Sequence, residues 1–328
     1  ESNFTYLSND LDNMAITFDT NVTARNSLNG VTPNYDEDCF ANPINVDINY
    51  TVVSGTMPAL IRYKELNANI EGNNTATNNT LNLPRNPGDT LPATLFTNAN
   101  NGTAELQLRV NFPRDLNTTL NPFRINFNDI GVSDQTIPAL TVSNELSRTI
   151  DNNATLVYGR TNVPRAIFQA NPAQQAFIFY EVFCNGVDAS GTNCDRTLLP
   201  NGINSNYTND PRWSVNTFHT NISGTAGSIY QQSFTPGNGI VTQDTLGPHQ
   251  NSVFITYDAS RGNPYKVTME NNASSWLIYN RFDPILTDID NEFEVEFLGP
   301  RSSWGGKRET NTTTGQRGTE EVNRRSMW

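Results

Sequence analysis

The sequence predicts an all-β protein: two β-sandwich-like domains followed by an extended C-terminal tail. Three observations predict it. No segment of eleven or more residues carries a 3.6-residue apolar period. Short runs rich in aromatic and β-branched residues recur between Gly, Pro and Asn turn signals. Only 16% of residues are charged, so polarity comes from Asn, Thr and Ser, which suit strands and turns better than solvated helices. At 328 residues the chain holds two ordinary domains, and its 17 Phe, 11 Tyr and 4 Trp can supply their cores.

Residues 1–147 form the first expected domain. Phe4-Thr5-Tyr6-Leu7 and Met14–Phe18 read as strand material, with an edge strand at the start. A polar loop is expected from Thr20 to Asn45, then strands near Val46–Val53 and Ala59–Tyr63. Residues 67–90 are Asn-rich and nearly free of apolar side chains, which predicts an exposed loop. The cleanest alternation follows, with Ala104, Leu106, Leu108, Val110 and Phe112 on one face. Phe123, Ile125 and Phe127 repeat it, and Ile137–Val142 closes this half.

The polar passage 143–153 predicts a boundary, and 148–300 the second domain. Strands are expected near Ala154–Tyr158, Arg165–Gln169, Ala176–Phe183, Trp213–Phe218, Ser228–Phe234, Val253–Tyr257, Pro264–Met269, Trp276–Tyr279 and Phe293–Phe297. Trp213 and Trp276 are expected in the core. Residues 301–328 differ in kind. Arg301, Lys307, Arg308, Arg317, Arg324 and Arg325 outweigh Glu309, Glu320 and Glu321, and apolar residues are almost absent before Met327 and Trp328.

The formal net charge of −12 argues against nucleic acid as a partner, because phosphate binding needs clustered basic residues. No stretch of 18 apolar residues predicts a membrane span. The chain starts at Glu1 without a signal peptide, as expected of an exported protein already trimmed. Cys184 and Cys194 flank a Gly- and Asn-rich turn, and their pairing is expected in an oxidising compartment. Cys39 is then odd: a buried free thiol, a link to another chain, or a partner for one of the other two.

The most specific signal is the N-x-S/T acceptor for an N-glycan. Twelve occur, where random placement of the 48 Asn and 58 hydroxyl residues gives roughly 8. The residue two places upstream is more telling. It is acidic, as the bacterial oligosaccharyltransferase requires, at Asn3, Asn21, Asn49, Asn73, Asn117, Asn153, Asn272 and Asn311. Chance predicts about one such site among the twelve, from 33 acidic residues in the chain. These eight are the expected acceptors, and Asn78, Asn101, Asn206 and Asn221 are expected to stay empty.

Other chemistry is weaker. Asp283, Asp288, Asp290 and Glu292 are the best candidates for Ca2+, but they lack EF-hand spacing, and a solvated acidic turn accounts for them as well. No other cofactor is implied. His219 and His249 read as polar loop residues, and HExxH, CxxC, GxSxG and P-loop motifs are missing from the sequence, so no catalytic residue is assigned.

Several motifs of the second half carry a resemblance. They are Tyr158-Gly159-Arg160-Thr161 with Pro164-Arg165, Tyr180-Glu181-Val182 with Cys184, and Asp210-Pro211-Arg212-Trp213. Glu270 to Asn280, Phe293 to Phe297, and Asn323-Arg324-Arg325 with Trp328 complete them. Over about 150–328 the chain resembles a family of uncharacterised exported bacterial surface proteins. The resemblance implies a surface location and a chain cut from the C-terminal part of a longer protein, and it implies no chemistry.

The function expected from these readings is a secreted, N-glycosylated structural surface protein whose partners are copies of itself. Subunits of a filament or coat would join by strand or tail exchange, with Phe4 and Tyr6 at one end and Arg324, Arg325 and Trp328 at the other as connectors. A monomeric adhesin or glycan-binding module is the rival, and a secreted hydrolase the third reading.

Overall fold

The computed structural model describes residues 4–75, 80–83, 90–116, 118–134, 153–164, 166–169, 174–188, 190–199, 210–216, 219, 233–236, 241–247, 250–255, 264–279 and 292–298. It is all-β, and among the described residues the helical elements beside the strands are single turns of 3-10 helix. The described residues fall into two compact units interleaved along the chain. One comprises 1–161, 180–231 and 273–290; the other comprises 162–179, 232–272 and 291–328. The boundary expected near 148 lies outside the described residues.

The first unit is built on two sheets. One contains β1 (Phe4–Tyr6), β9 (Asn153–Val157), β8 (Phe123–Asp134), β3 (Ile44–Ser54) and β6 (Thr80–Leu83), in that spatial order. The other runs β2 (Ile16–Thr23), β7 (Thr103–Asn111), β4 (Leu60–Glu65) and β5 (Ile70–Thr75). Alternation decides which side chains go inward. Ala104, Leu106, Leu108 and Val110 of β7 are wholly buried, as are Val46 and Ile48 of β3 and Phe123 of β8. These faces meet in one core, where Phe18 of β2 packs edge-on against Phe127 of β8 with ring centroids 4.9 Å apart. The sandwich expected for this region is therefore formed.

Three expectations in this unit are corrected. The strand after Met14 runs on to Thr23, past the expected loop start. The Asn-rich stretch 67–90 holds two strands, β5 and β6, which pair as outer strands with β4 and β3. Outer strands need few apolar residues, because their neighbours supply the ladder. Trp276-Leu277 is a 3-10 turn, Ser275–Leu277, and not a strand. Both side chains are buried, and strand alternation would have turned one of two adjacent residues outward.

A second apolar cluster in this unit surrounds β1. It joins Phe4, Tyr6, Met14, Val157, Tyr180, Val182, Cys184, Leu199, Trp276 and Leu277, brought in from widely separated stretches. The strand β12 (Gln174–Phe183) supplies Tyr180 and Val182, and Glu181–Phe183 pair with β13 (Trp213–Val215). Short β10 (Gly159–Asn162) neighbours β12.

The second unit has a smaller described core of Ala176, Ile255, Val295 and Phe297. One sheet orders β11 (Ala166–Gln169), β18 (Glu292–Leu298), β17 (Tyr265–Asn272) and β14 (Ser233–Pro236). The first residues of β12, Gln174–Phe179, pair with β16 (Gln250–Ile255), which pairs with β15 (Val241–Gly247). The rings of Phe168 and Tyr265 pack on Phe297.

Candidate glycan acceptors and the seat of the N-terminal strand

The acceptor motif has a period of two, and so does a strand. An acid, an Asn and a hydroxyl at alternate positions therefore share one face, and the two residues between them share the other. The first unit uses this three times. On β2, Asp19 and Asn21 are exposed while Val22 packs toward the sandwich core. On β5, Glu71 and Asn73 are exposed while Asn74 between Asn73 and Thr75 is buried. On β3, Asp47 and Asn49 are half-buried and Thr51 exposed, while Ile48 and Tyr50 lie in the core.

The three sites differ in how they are held. Among the described residues, β2 and β5 are the outer strands of their sheet and pair on one side only. Asn21 faces Glu105, and Asn73 faces Arg62, which ion-pairs with Glu71. Asn49 is paired on both sides, with Asp129 of β8 and Thr80 of β6. Its side-chain amide is engaged as well. Thr80 Oγ1 donates to Asn49 Oδ1 at 2.7 Å, and Asn49 Nδ2 donates to Asp129 Oδ1.

Asn153 opens β9 and is exposed, but its sequon partner Thr155 is buried, with its hydroxyl accepting from Arg124 Nε at 3.0 Å. Asn272 closes β17 opposite Ser233. The acceptor thus ends a strand, and the 3-10 turn Ser275–Leu277 follows it. Among the expected empty sites, exposed Asn101 sits in a left-handed turn at φ 49°. Asn3, Asn117 and Asn311 lie outside the described residues, as do Asn78, Asn206 and Asn221.

Phe4 and Tyr6 are not on the surface of this chain. β1 pairs parallel to β9, Phe4 opposite Thr155 and Tyr6 opposite Val157. The Tyr6 ring lies over Gly159, where an added Cβ would stand 2.4 Å from it, so only glycine admits this approach. Asn216 Nδ2 donates to the Tyr6 hydroxyl at 2.7 Å, and that hydroxyl shares a second hydrogen bond with His219 Nδ1 at 2.9 Å. Burial pushes the Tyr6 phenol far above its ordinary value, against the pull of the Asn216 bond. His219 is buried and stacks on Tyr180 at 3.6 Å, which corrects its expected place in a polar loop. Asn111 Nδ2 donates to the carbonyls of Tyr6 and Met14, fixing both ends of the segment.

Two buried arginines complete this region. Arg160 Nε donates to Glu181 Oε2 at 2.8 Å, and its guanidinium lies 3.9 Å from the Trp213 ring centroid. Arg114 donates to the Gly159 carbonyl at 2.7 Å and lies over the Tyr158 ring. Burial lowers the Arg114 pKa and pushes the Tyr158 phenol up to about 12, with each opposing the shift of the other. Sequence reading quoted Arg160 and Glu181 only as part of the resemblance and gave them no role, and it did not single out Arg114. The available signal was Glu181, a lone charge inside the apolar run from Ala176 to Cys184.

The Cys184–Cys194 disulfide is formed, with Cα atoms 5.4 Å apart. It closes a loop clamped from outside. Asn121 Nδ2 donates to the carbonyls of Asn185 and Thr192, and the Asn121 amide donates to Asp188 Oδ2. Ser54 Oγ donates to Asp195 Oδ2 at 2.6 Å. Cys39 is free and exposed, which corrects the buried reading; nearby Asp36 raises its thiol pKa.

Glu292 begins β18 opposite Glu270. Asp283, Asp288 and Asp290 lie outside the described residues, as do His249, Arg324, Arg325 and Trp328. Among the described residues no group of three or more His, Cys, Asp or Glu side chains is placed to hold a metal, and no helix is long and apolar enough to cross a membrane. The chain matches no family model, and comparison with curated proteins finds no match.

Proposed function

We propose that this chain is an exported, N-glycosylated structural surface protein that assembles with copies of itself into a filament or coat. The observation that carries the reading is the acid-x-Asn-x-Thr motif repeated on the outward faces of β2, β3 and β5. Glycans on β2 and β5 would cover the sandwich where outer strands otherwise invite pairing with another chain. The disulfide is compatible with export. The resemblance of residues 150–328 to exported surface proteins points the same way.

Assembly rests on β1. It is three residues long, it lies at a sheet edge, and its anchors Phe4 and Tyr6 fill a seat built by other segments. The same seat would accept residues 4–6 of a neighbour in an exchanged dimer or polymer, at little cost in contacts. Residues 301–328, ending in Trp328, are the second proposed connector.

Negative-stain electron microscopy of native material, unheated and at neutral pH, tests the reading. Regular fibres or sheets whose subunits carry glycan by intact mass are expected. Monodisperse single chains would remove assembly, and an unmodified mass would remove the glycoprotein.

A further inference from the structure

The three strand-borne acceptors are chemically alike and topologically different. A transferase must draw the acceptor Asn into its own site, with the acid and the hydroxyl bound on either side. That requires several residues of free extended chain. An outer strand supplies them by local opening along one ladder. A strand paired on both sides must first break two ladders, and around Asn49 those ladders hold Asp47, Ile48 and Asn49 between β6 and β8. The inward side chains between the motif residues, Ile48 and Tyr50, would have to leave the sandwich core at the same time. The Asn49 amide is itself bonded on its oxygen by Thr80 and on its nitrogen to Asp129. Asn21 and Asn73 are exposed, on strands with one partner each among the described residues.

Building on the glycoprotein reading above, we propose that Asn49 is a glycan acceptor open only before the sandwich closes, whereas Asn21 and Asn73 remain open in the folded chain. The donor is a lipid-pyrophosphate-linked oligosaccharide. In the transfer, Asn49 Nδ2 bonds to the anomeric carbon and the anomeric C–O bond breaks. The lipid pyrophosphate leaves with that electron pair, and the displaced amide proton passes to a base of the transferase. Occupancy at Asn49 therefore records whether transfer preceded folding, and occupancy at Asn21 and Asn73 does not.

The test uses the full chain in two arms, read by site-resolved mass spectrometry. In one arm the chain is exported in cells that hold an acid-requiring oligosaccharyltransferase and its lipid-linked donor. In the other it is purified folded and unglycosylated, then given the same enzyme and donor. Asn49 is expected to be filled in the first arm and about tenfold or more lower in the second, with Asn21 and Asn73 within about twofold between arms. A Thr51→Ala variant should empty Asn49 alone and so confirms the site assignment. Equal Asn49 occupancy in both arms overturns the timing and leaves the glycoprotein standing. An empty Asn49 in the first arm, with Asn73 filled, overturns Asn49 as an acceptor. If Asn21 and Asn73 fall as far as Asn49, the distinction between outer and central strands fails. Glycan at no site in either arm overturns the glycoprotein reading itself, and this inference with it. Native-state hydrogen exchange supplies an independent readout. The Asn49 amide should exchange far more slowly than that of Asn73, and equal rates would also overturn the proposal.

Discussion

Two cores of the first unit stand side by side and are made differently. The sandwich core takes Leu106, Leu108, Val110, Ile48 and Phe123 from strands whose alternation alone turns them inward. The core around Tyr6 draws on stretches as far apart as residues 4, 157, 180 and 277, and it is threaded with buried polar groups. Arg160 with Glu181, Arg114 on the Gly159 carbonyl, and the Tyr6, Asn216 and His219 set gather here, whereas beside the apolar inward face of β7 the buried carboxylate is Glu65, which accepts from the Gln107 and Ala68 backbone amides. The difference teaches where uniqueness comes from. Apolar alternation makes a sheet pack, but it tolerates many partners. Polar side chains that are satisfied only in one arrangement select the chain path around the N-terminal strand.

Substitutions can break or sharpen this contrast. Glu181→Ala should destabilise by about 3–5 kcal/mol, because it leaves Arg160 charged and buried. Phe112→Ala in the sandwich should lose a similar amount, about 3–5 kcal/mol, through a cavity instead. Urea titration checks both. The contrast fails if Glu181→Ala costs under about 1 kcal/mol, for then the ion pair has no selective weight. Cys184→Ser with Cys194→Ser should cost about 2–3 kcal/mol by loop entropy. Amide exchange should speed up more at Asn185 and Thr192, which also lose the local closure of the loop, than at Leu106, which feels the global loss alone.

Tyr6→Phe is milder, at about 1–2 kcal/mol, because it removes the hydroxyl's bonds to Asn216 and His219 but keeps the ring on Gly159. Chemical shifts of the β7 amides should stay in place while those of Asn216 move. The smallest effect is expected from acid. The Ser54 and Thr197 bonds hold the Asp195 carboxyl below its ordinary value, and the Arg212 guanidinium does so for Asp210. Carboxyls depressed by folding add stability that is complete above the unfolded pKa of about 3.9. That stability is lost as pH falls through the lower folded values. Melting temperature should therefore drop slightly below about pH 4, and Asp195→Asn should flatten that limb.

Legibility followed the same divide. β7 could be read from five alternating apolar residues, because its environment is the same along its whole length. β5 and β6 could not, since outer strands in Asn-rich sequence take their order from partners and not from burial. Trp276-Leu277 misled because a short apolar run looks alike whether it crosses a sheet or turns once into a core. The disulfide was readable from spacing around a turn. The clamp by Asn121 was not, since 64 residues separate Asn121 from Asn185. The acceptor motifs add a lesson of their own. Outward faces of strands accept polar residues at alternate positions, so the motif can lie on a strand without turning its acid or its Asn into the core.

The parallel pairing of β1 with β9 has a mechanical consequence. If tension enters at the N-terminus and leaves beyond Val157, the two strands are pulled along their length in opposite directions. Every pairing from Phe4–Thr155 to Tyr6–Val157 is then loaded together in shear, whereas an antiparallel neighbour pulled the same way would unzip one bond at a time. Three residues anchored by two aromatic rings thus form a latch that yields at once or not at all, and stretching the chain between residues 4 and 157 should show a single abrupt rupture.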